Sequence, residues 1–369
     1  MRAKPIVLRV VPFLDFGGVE SRVLLQARLA ADEPYDLHVC ALGTGGSAAA
    51  QLRAQGVQLT ELGTAPSVKN PKAALLLAQL IYKLKPDILH SSIAEANFHA
   101  LLATRLYPVA HLIVEEVGMP NHSRMARSVF RTIYKWPSAL VGVTEAVCKY
   151  MQEADGAPAT RLFRIYNCAH PRFFPERRVL PRHIQPESVF NFLHIGRLHP
   201  VKNQLSLIRA FSIVHAAWPS TRLKIVGDGP LKDQLRREID SHGLAAAVSL
   251  CGFDANVTPH LESAHAFVLP SLSEGCSISL IEALAHARPA VGSDVPGIVE
   301  VLGHDYARNW TFPPNPIEEM ATTMLKFRDL SPVSYADLAI QLQARMYQEF
   351  SPEAYMSNIR KLYEYAKHS

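Results

Sequence analysis

FNFLHIGRLHPVKNQLSLIRAFSIVHAAWPSTRLKIVGDG, residues 190–229, is the stretch from which the rest of the chain is read. An aromatic and apolar run, Phe190–Ile195, ends at Gly196. A polar turn follows, and then apolar residues at helical spacing over about Asn203–Ala217. A second short run, Leu223–Val226, stops at Gly227 and Gly229. A strand, a helix and a strand in such quick succession make a βαβ unit, whose two strands lie parallel. The alternation continues on both sides. Towards the carboxyl end come a helix at Leu231–His242, strands at Val248–Leu250 and Ala266–Leu269, and a helix ending near Ala287. Towards the amino end, strands are expected at Ile6–Val11, Leu37–Leu42, Ile88–Ser91, Leu112–Glu115 and Ala139–Val143, with helices near Glu20–Ala31 and Ala48–Gln55. The segment Pro171–Pro186, with prolines 171, 175, 181 and 186 and no period, reads as an inter-domain linker. The expectation is an α/β chain of two Rossmann-like domains, 1–175 and 187–350, facing each other across a cleft, with a closing helix at 351–369 that packs back on the first domain. Ligands of such sheets bind at the carboxyl ends of the strands.

Composition narrows the function classes. Of 369 residues, 48% are hydrophobic and 19% charged, which is ordinary globular usage and excludes disordered, collagen-like and coiled-coil chains. The net charge of +5 comes without any Lys/Arg tract, so nucleic acid is not an expected partner. The charge is uneven: residues 1–180 hold 21 basic and 14 acidic residues, the rest 17 and 19. Cysteines 40, 148, 168, 251 and 276 form no C-x-x-C pair and read as reduced thiols, which points to a cytoplasmic chain. Arg9 interrupts the apolar residues of the amino terminus, so that segment reads as a first strand, not a signal peptide. The longest apolar-looking stretch, Ala73 to Tyr82, falls short of the ~20 residues of a membrane span, so any membrane contact would be peripheral.

Four constellations carry chemistry. Gly17-Gly18, between the first strand and helix, fits either a plain tight turn or a close backbone approach to a ligand at a helix N-terminus. Arg197 and Lys202 flank a strand-to-helix turn with Gly196 before it and Pro200 within it. A fork-shaped guanidinium and a point-charge ammonium suit a pyrophosphate, although solvated loop charge is the plainer reading. Glu274 and Glu282 stand in LPSLSEGCSISLIEALAHARP (269–289). A carboxylate can accept hydrogen bonds from vicinal hydroxyls, and Ser279-x-x-Glu282 also fits a helix capping box. In the stretch 124–136, Arg124, Arg127, Arg131 and Lys135 share one helical face, with Met125, Val129, Ile133 and Trp136 on another. This suits an anionic bilayer surface or a packed helix with a solvated basic side. There is no D-x-D, P-loop, H-E-x-x-H or G-x-S-x-G, and neither a metal nor a cofactor is expected.

Taken in order, VGVTEAV near 141, RIYNCAHPRFF at 164–174, GRLHPVKN at 196, IVGDGPLKDQL at 225, LCGF at 250 and the E-x7-E segment from Glu274 to Glu282 resemble the retaining glycosyltransferases of family 4, which have the GT-B fold. The likeness is strongest over 139–300 and looser in the amino half, through GGVE. It implies metal-independent transfer of a sugar from a nucleotide-sugar, UDP-linked by preference, to a glycan or lipid-linked saccharide in bacterial surface polysaccharide synthesis, at the inner face of the cell membrane. By motif position, Arg197 and Lys202 would bind the diphosphate and Glu274 the donor sugar. Glu282 would hold the ribose, with Gly196, Gly252, Phe253, Gly275, Cys276, Ser277 and Ile278 around the donor. Gly17 and Gly18 would approach the diphosphate from the other domain. Two departures stand out. Cys276-Ser277 replaces the Phe-Gly that many members carry. Glu116 stands where many members place a His, and would orient the acceptor or act as a base, or else is a paired carboxylate. The alternatives are a non-catalytic nucleotide-sugar-binding partner subunit and a sugar-nucleotide epimerase of related fold.

Overall fold

The computed structural model describes residues 4–15, 18–119, 124–176, 178–181 and 188–368, leaving out the side chains of 124–126. The chain divides into two compact units, one formed by residues 1–170 with 352–369, the other by 171–351.

The first unit runs β1 (Ile6–Val11), α1 (Gly18–Leu29), β2 (Asp36–Ala41), α2 (Ser47–Ala54), β3 (Gln58–Glu61), α3 (Pro71–Leu84), β4 (Ile88–Ser92), α4 (Ala94–Leu106), β5 (His111–Glu116), α5 (Arg124–Ile133), β6 (Ala139–Gly142), α6 (Glu145–Glu153) and β7 (Leu162–Arg164). Among the described residues its strands form one parallel sheet in the order β3-β2-β1-β4-β5-β6-β7. The central strands are apolar almost throughout because helices cover both faces of the sheet. In β1 only the edge residue Ile6 is less than fully covered. Helix α3 shows how local sequence sets limits. Asn70 caps its first turn by accepting from the Lys72 amide, Pro71 opens it, and Lys85 in the left-handed region stops it. The last helix of the chain belongs to this unit. It buries Tyr355, Met356, Ile359 and Tyr363 in the core shared by β1, β2 and α1, and Arg360 pairs with Glu33.

The second unit runs β8 (Phe190–Ile195), α7 (Gln204–Ala217), β9 (Thr221–Val226), α8 (Lys232–Ser241), β10 (Val248–Gly252), α9 (Thr258–Ser263), β11 (Ala266–Leu269), α10 (Ile278–Ala285), β12 (Ala290–Ser293), α11 (Pro296–Leu302), α12 (His304–Trp310), β13 (Thr311–Phe312), α13 (Ile317–Leu325) and α14 (Pro332–Glu349); α15 (Pro352–His368) is the helix returned to the first unit. Its described strands form a parallel sheet in the order β10-β9-β8-β11-β12-β13. Phe190, Phe192, Phe211 and Phe327 fill its core. Residues 171–175, read from their prolines as linker and grouped with the first domain, pack with this unit. Phe173 is buried against the His286 ring at 5.3 Å, Phe174 meets Tyr347 at 5.1 Å, and the Tyr347 hydroxyl donates to the Pro175 carbonyl. The apolar side chains of this segment override its turn-like composition.

In both sheets the strand order reverses once, between β1 and β4 and between β8 and β11. At such a switch point the loops leaving the two neighbouring strands run to opposite faces, and a crevice opens between them.

Candidate functional site in the second unit

The loops that flank the β8/β11 switch point are 196–203 and 270–277, which hold the residues singled out from the sequence. The Leu272 amide donates to the Val201 carbonyl at 2.8 Å and ties one loop to the other. Pro200–Lys202 makes a single 3-10 turn, and Asn203, left-handed at φ 56°, redirects the chain into α7. Lys202 Nζ thereby lies 2.5 Å from Glu274 Oε1, and the Ser271 hydroxyl donates to the same oxygen at 2.7 Å. The side chains of Lys202 and Glu274 are 21% and 10% exposed, withdrawn from bulk water yet open to a ligand. Arg197 is exposed, and its guanidinium has no hydrogen-bond or ion-pair partner among the described residues. Two cations and one carboxylate leave a net positive site, at which a free guanidinium can take an anion without first breaking an internal bond.

Helix α10 starts beside this pair. Ser277 is its N-cap residue, and its side chain makes no capping hydrogen bond. Ser279 sits within the first turn, so the capping box read at Ser279 and Glu282 does not form; the helix begins two residues too early for it. Glu282 instead lies one turn into the helix. Burial pushes its carboxyl up to about 8, against the pull of the Arg172 guanidinium. Cys276 and Ser277 are buried. Gly275 lies under α11: a Cβ on Gly297 would stand 2.2 Å from the Gly275 carbonyl oxygen.

The shape of the Arg197 loop is fixed from below and from the side. Gly196 and Leu198 donate to the carbonyls of Val226 and Asp228, and Gly227 donates to that of Gly252. Gly227, at φ 144°, is so close that a Cβ would sit 2.0 Å from the Gly196 oxygen. This packing explains GDG at 227–229. Beneath the loop, buried Gln204 donates to the Arg197 carbonyl at 2.9 Å and approaches His194 Nε2 at 3.2 Å; His194 Nδ1 lies 2.9 Å from the Val268 carbonyl. Burial lowers His194 to about 4, so it is neutral, with Nδ1 as donor and Nε2 as acceptor. Neither His194 nor Gln204 was picked out from sequence, since each resembles an ordinary strand or helix residue. At the end of β10, Gly252 is left-handed at φ 75° and Phe253 is exposed. Among the described residues no group of three His, Cys, Asp or Glu side chains gathers as metal ligands.

The remaining expected residues lie in the first unit. Gly17 is outside the described residues; Gly18 opens α1 and is exposed. Glu116, at the end of β5, is buried and accepts from Asn97 Nδ2 and the Tyr134 hydroxyl, both at 2.9 Å, so it is a paired carboxylate with a fixed orientation. Its neighbour Glu115 points to the other face of the sheet into a cluster that the sequence did not announce. Arg22 donates to Glu115 at 2.5 Å, Arg9 at 3.3 Å and Ser92 at 2.5 Å, all fully buried. The cations hold Glu115 well below the usual carboxylate range. Among the described side chains of α5, Phe130 and Ile133 are buried, with Tyr134 just beyond; of the expected apolar face, Ile133 is buried, Val129 and Trp136 are exposed, and the Met125 side chain is outside the described residues. Arg131 donates to the Ala154 carbonyl and Arg127 lies 5.9 Å over the Tyr150 ring; the Arg124 side chain is outside the described residues.

Residues 189–329 match the family described as glycosyl transferases group 1, and residues 16–173 match glycosyltransferase family 4. The chain belongs to these GT-B glycosyltransferases. An uncharacterised glycosyltransferase of Methanocaldococcus jannaschii is 39% identical over 240 residues, 60% of this chain and 59% of that one. The Escherichia coli UDP-Gal:alpha-D-GlcNAc-diphosphoundecaprenol alpha-1,3-galactosyltransferase is 25% identical over 62% of this chain and 63% of its own. The match thus spans less than two thirds of these curated relatives. The crystal structure of Anabaena HepE with UDP and glucose superposes with a TM-score of 0.81 at 19% identity, covering 98% of this chain and 99% of that one.

Proposed function

We propose that this glycosyltransferase moves a sugar from a nucleotide-sugar, UDP-linked by preference, to a saccharide or lipid-linked saccharide in surface polysaccharide synthesis, with retention of the anomeric configuration. The observation that carries the reading is the Lys202–Glu274 pair beside unpaired Arg197 at the switch point of the second sheet. As the bond from the anomeric carbon to the β-phosphate oxygen breaks, Arg197 and Lys202 balance the charge that gathers on the leaving diphosphate. Such groups act most strongly when fixed in advance, as the 196–203 loop is. The uncapped first amides of α10 add partial positive charge beside them. Glu274 holds the donor sugar near its ring, and Glu282 the ribose hydroxyls. The acceptor oxygen bonds to the anomeric carbon from the side the diphosphate leaves, and its proton passes to that diphosphate. No covalent glycosyl-enzyme forms, unlike the two-carboxylate retaining hydrolases. Cationic side chains stand where a metal would otherwise neutralise the diphosphate, which supports metal independence. Support for a UDP donor comes from the E. coli relative, named for UDP-Gal, and from the UDP in the HepE structure. Glu116, held still by Asn97 and Tyr134, is the candidate in the first unit for orienting the acceptor hydroxyl.

Among the described residues no helix is long and apolar enough to cross a membrane. A lipid-linked acceptor would bring the chain to an anionic bilayer surface from the cytoplasmic side, with Arg124, Arg127, Arg131 and Lys135 contributing charge. The function is tested by incubating the protein with UDP-, GDP- and ADP-sugars, with and without saccharide acceptors, and following nucleotide release and the anomeric signals of the product by NMR. Acceptor-dependent UDP release with retained configuration supports the reading. Sugar isomerisation without acceptor would favour an epimerase, and donor binding without turnover a non-catalytic subunit.

A further inference from the structure

Outside the nucleotide site, the first unit carries a surface for which the proposed chemistry has no use. Helices α3 and α4 lie side by side. On α3, Leu75 and Tyr82 are two turns apart and project from one face; on α4, Leu102 and Leu106 do the same at one-turn spacing. Tyr107, just past the end of α4, meets Tyr82 at a tilt with ring centres 5.1 Å apart. Trp136, beyond α5, joins the patch beneath Arg105, whose guanidinium carbon is 3.6 Å from the ring centre. These six apolar and aromatic side chains are between 39% and 60% exposed. Between Tyr82 and Tyr107 a shallow groove of about 210 Å³ opens, with Lys85 on its wall. Soluble surfaces scatter such side chains singly, and a contiguous set marks a site of contact.

The charge around the patch says what it meets. Residues 62–144 contain nine Lys and Arg against four Asp and Glu, and two of those four, Glu115 and Glu116, are buried and hydrogen-bonded in the core. Helices α3 and α5 carry no acidic residue at all. Lys72, Lys83, Lys85, Arg105 and Lys135, all exposed, are carried by the same three helices or lie just past their ends. Aliphatic side chains with Tyr and Trp, rimmed by cations, match the boundary of an anionic bilayer: leucines enter the acyl region, aromatic rings sit at headgroup depth, and cations remain with the phosphates.

We infer that the α3–α4 face, Leu75, Tyr82, Leu102, Leu106, Tyr107 and Trp136, is the surface by which this chain docks on an anionic phospholipid bilayer, with the α5 cations as its electrostatic flank. This rests on the membrane reading above only for its occupant. Part of the α5 charge is engaged with α6, through Arg131 and Ala154 and through Arg127 and Tyr150, so α5 alone makes a poorer anchor than the apolar face. Insertion of α3 and α4 uses none of the side chains assigned to sugar transfer.

The test is co-sedimentation of the full chain with vesicles of phosphatidylcholine alone and of phosphatidylcholine with phosphatidylglycerol. Wild type should bind the anionic vesicles and not the neutral ones. The triple variant Tyr82→Gln/Leu102→Gln/Leu106→Gln, with unchanged charge, should bind the anionic vesicles about a hundredfold more weakly, near the loss of about one kcal/mol per interfacial side chain. Donor turnover in solution should stay as in wild type. Val333→Gln, an exposed apolar position of the second unit, should change nothing. Equal binding by wild type and the triple variant overturns this face while leaving a membrane role through α5. No binding by wild type overturns the membrane reading altogether. A wild-type dimer that the triple variant turns into a monomer, with no vesicle binding, overturns the proposal in favour of a second copy of the chain.

Discussion

Glu282 offers a prediction in which the sign of a pH effect is decisive. Its carboxyl is pushed from 4.5 to about 8 by burial. In the folded protein it stays neutral as the pH rises past 5, whereas in the unfolded chain it ionises. The folded state therefore keeps its full stability below pH 4.5 and loses it progressively as the pH climbs through 8. At about 1.4 kcal/mol per pKa unit, full burial would set an upper limit of about 4 kcal/mol at pH 8. Glu282 retains some solvent exposure, so about 2 kcal/mol is the expected size. Glu282→Gln removes the ionisation and keeps the shape. Urea unfolding should show the variant about 2 kcal/mol more stable than wild type at pH 8 and within about 0.5 kcal/mol at pH 5. Stability profiles that run parallel from pH 5 to 8 would refute the raised carboxyl. The same reasoning reaches the ligand. A neutral carboxyl donates and accepts, as an amide does, so UDP affinity at pH 7 should stay within about threefold in Glu282→Gln and fall about tenfold or more in Glu282→Ala.

Three further outcomes follow from the geometry. Lys202→Ala removes a cation from the leaving diphosphate and should lower kcat about 10²–10³-fold, while its half-buried pair with Glu274 limits the stability loss in urea unfolding to about 1–2 kcal/mol; a kcat within tenfold of wild type would remove Lys202 from the mechanism. Gly227→Ala places a Cβ 2.0 Å from the Gly196 oxygen, so the Arg197 loop must shift and kcat/KM should drop about a hundredfold; wild-type rates would show that the loop needs no such support. Glu115→Ala leaves Arg9 and Arg22 buried without a counter-charge and should cost about 3–5 kcal/mol in urea unfolding, and a loss under 1 kcal/mol would contradict the cluster.

The parts of the fold that could be read from sequence are those where local pattern and tertiary environment agree. Phe190–Ile195 and Ala266–Leu269 are strands over those same residues because each is a short, mainly apolar run stopped by Gly196 or Pro270. The loops bearing Arg197, Lys202 and Glu274 were legible as strand-to-helix turns. The bond from Lys202 to Glu274, 72 residues apart, was not, because it depends on β8 and β11 being neighbours. Arg9 shows the same limit more sharply. In sequence it interrupts an apolar run, and its reason, Glu115, lies 106 residues away. The start of α10 was missed because Ser277 and Ser279 are equally good caps by residue type. The Gly275–Gly297 approach and the burial of Leu280, Ile281 and Leu284 set the frame instead. In α5, spacing put Val129, Ile133 and Trp136 on one apolar face, whereas packing buries Ile133 together with Phe130 and leaves Val129 and Trp136 exposed, a choice that depends on the neighbouring elements.

The most direct test of the donor site is a crystal structure of the chain with UDP. The account predicts β-phosphate oxygens at about 3 Å from both the Arg197 guanidinium and Lys202 Nζ, with the ribose hydroxyls on Glu282. A UDP bound elsewhere, or one whose phosphates leave Arg197 in solvent and Lys202 bonded only to Glu274, would contradict it.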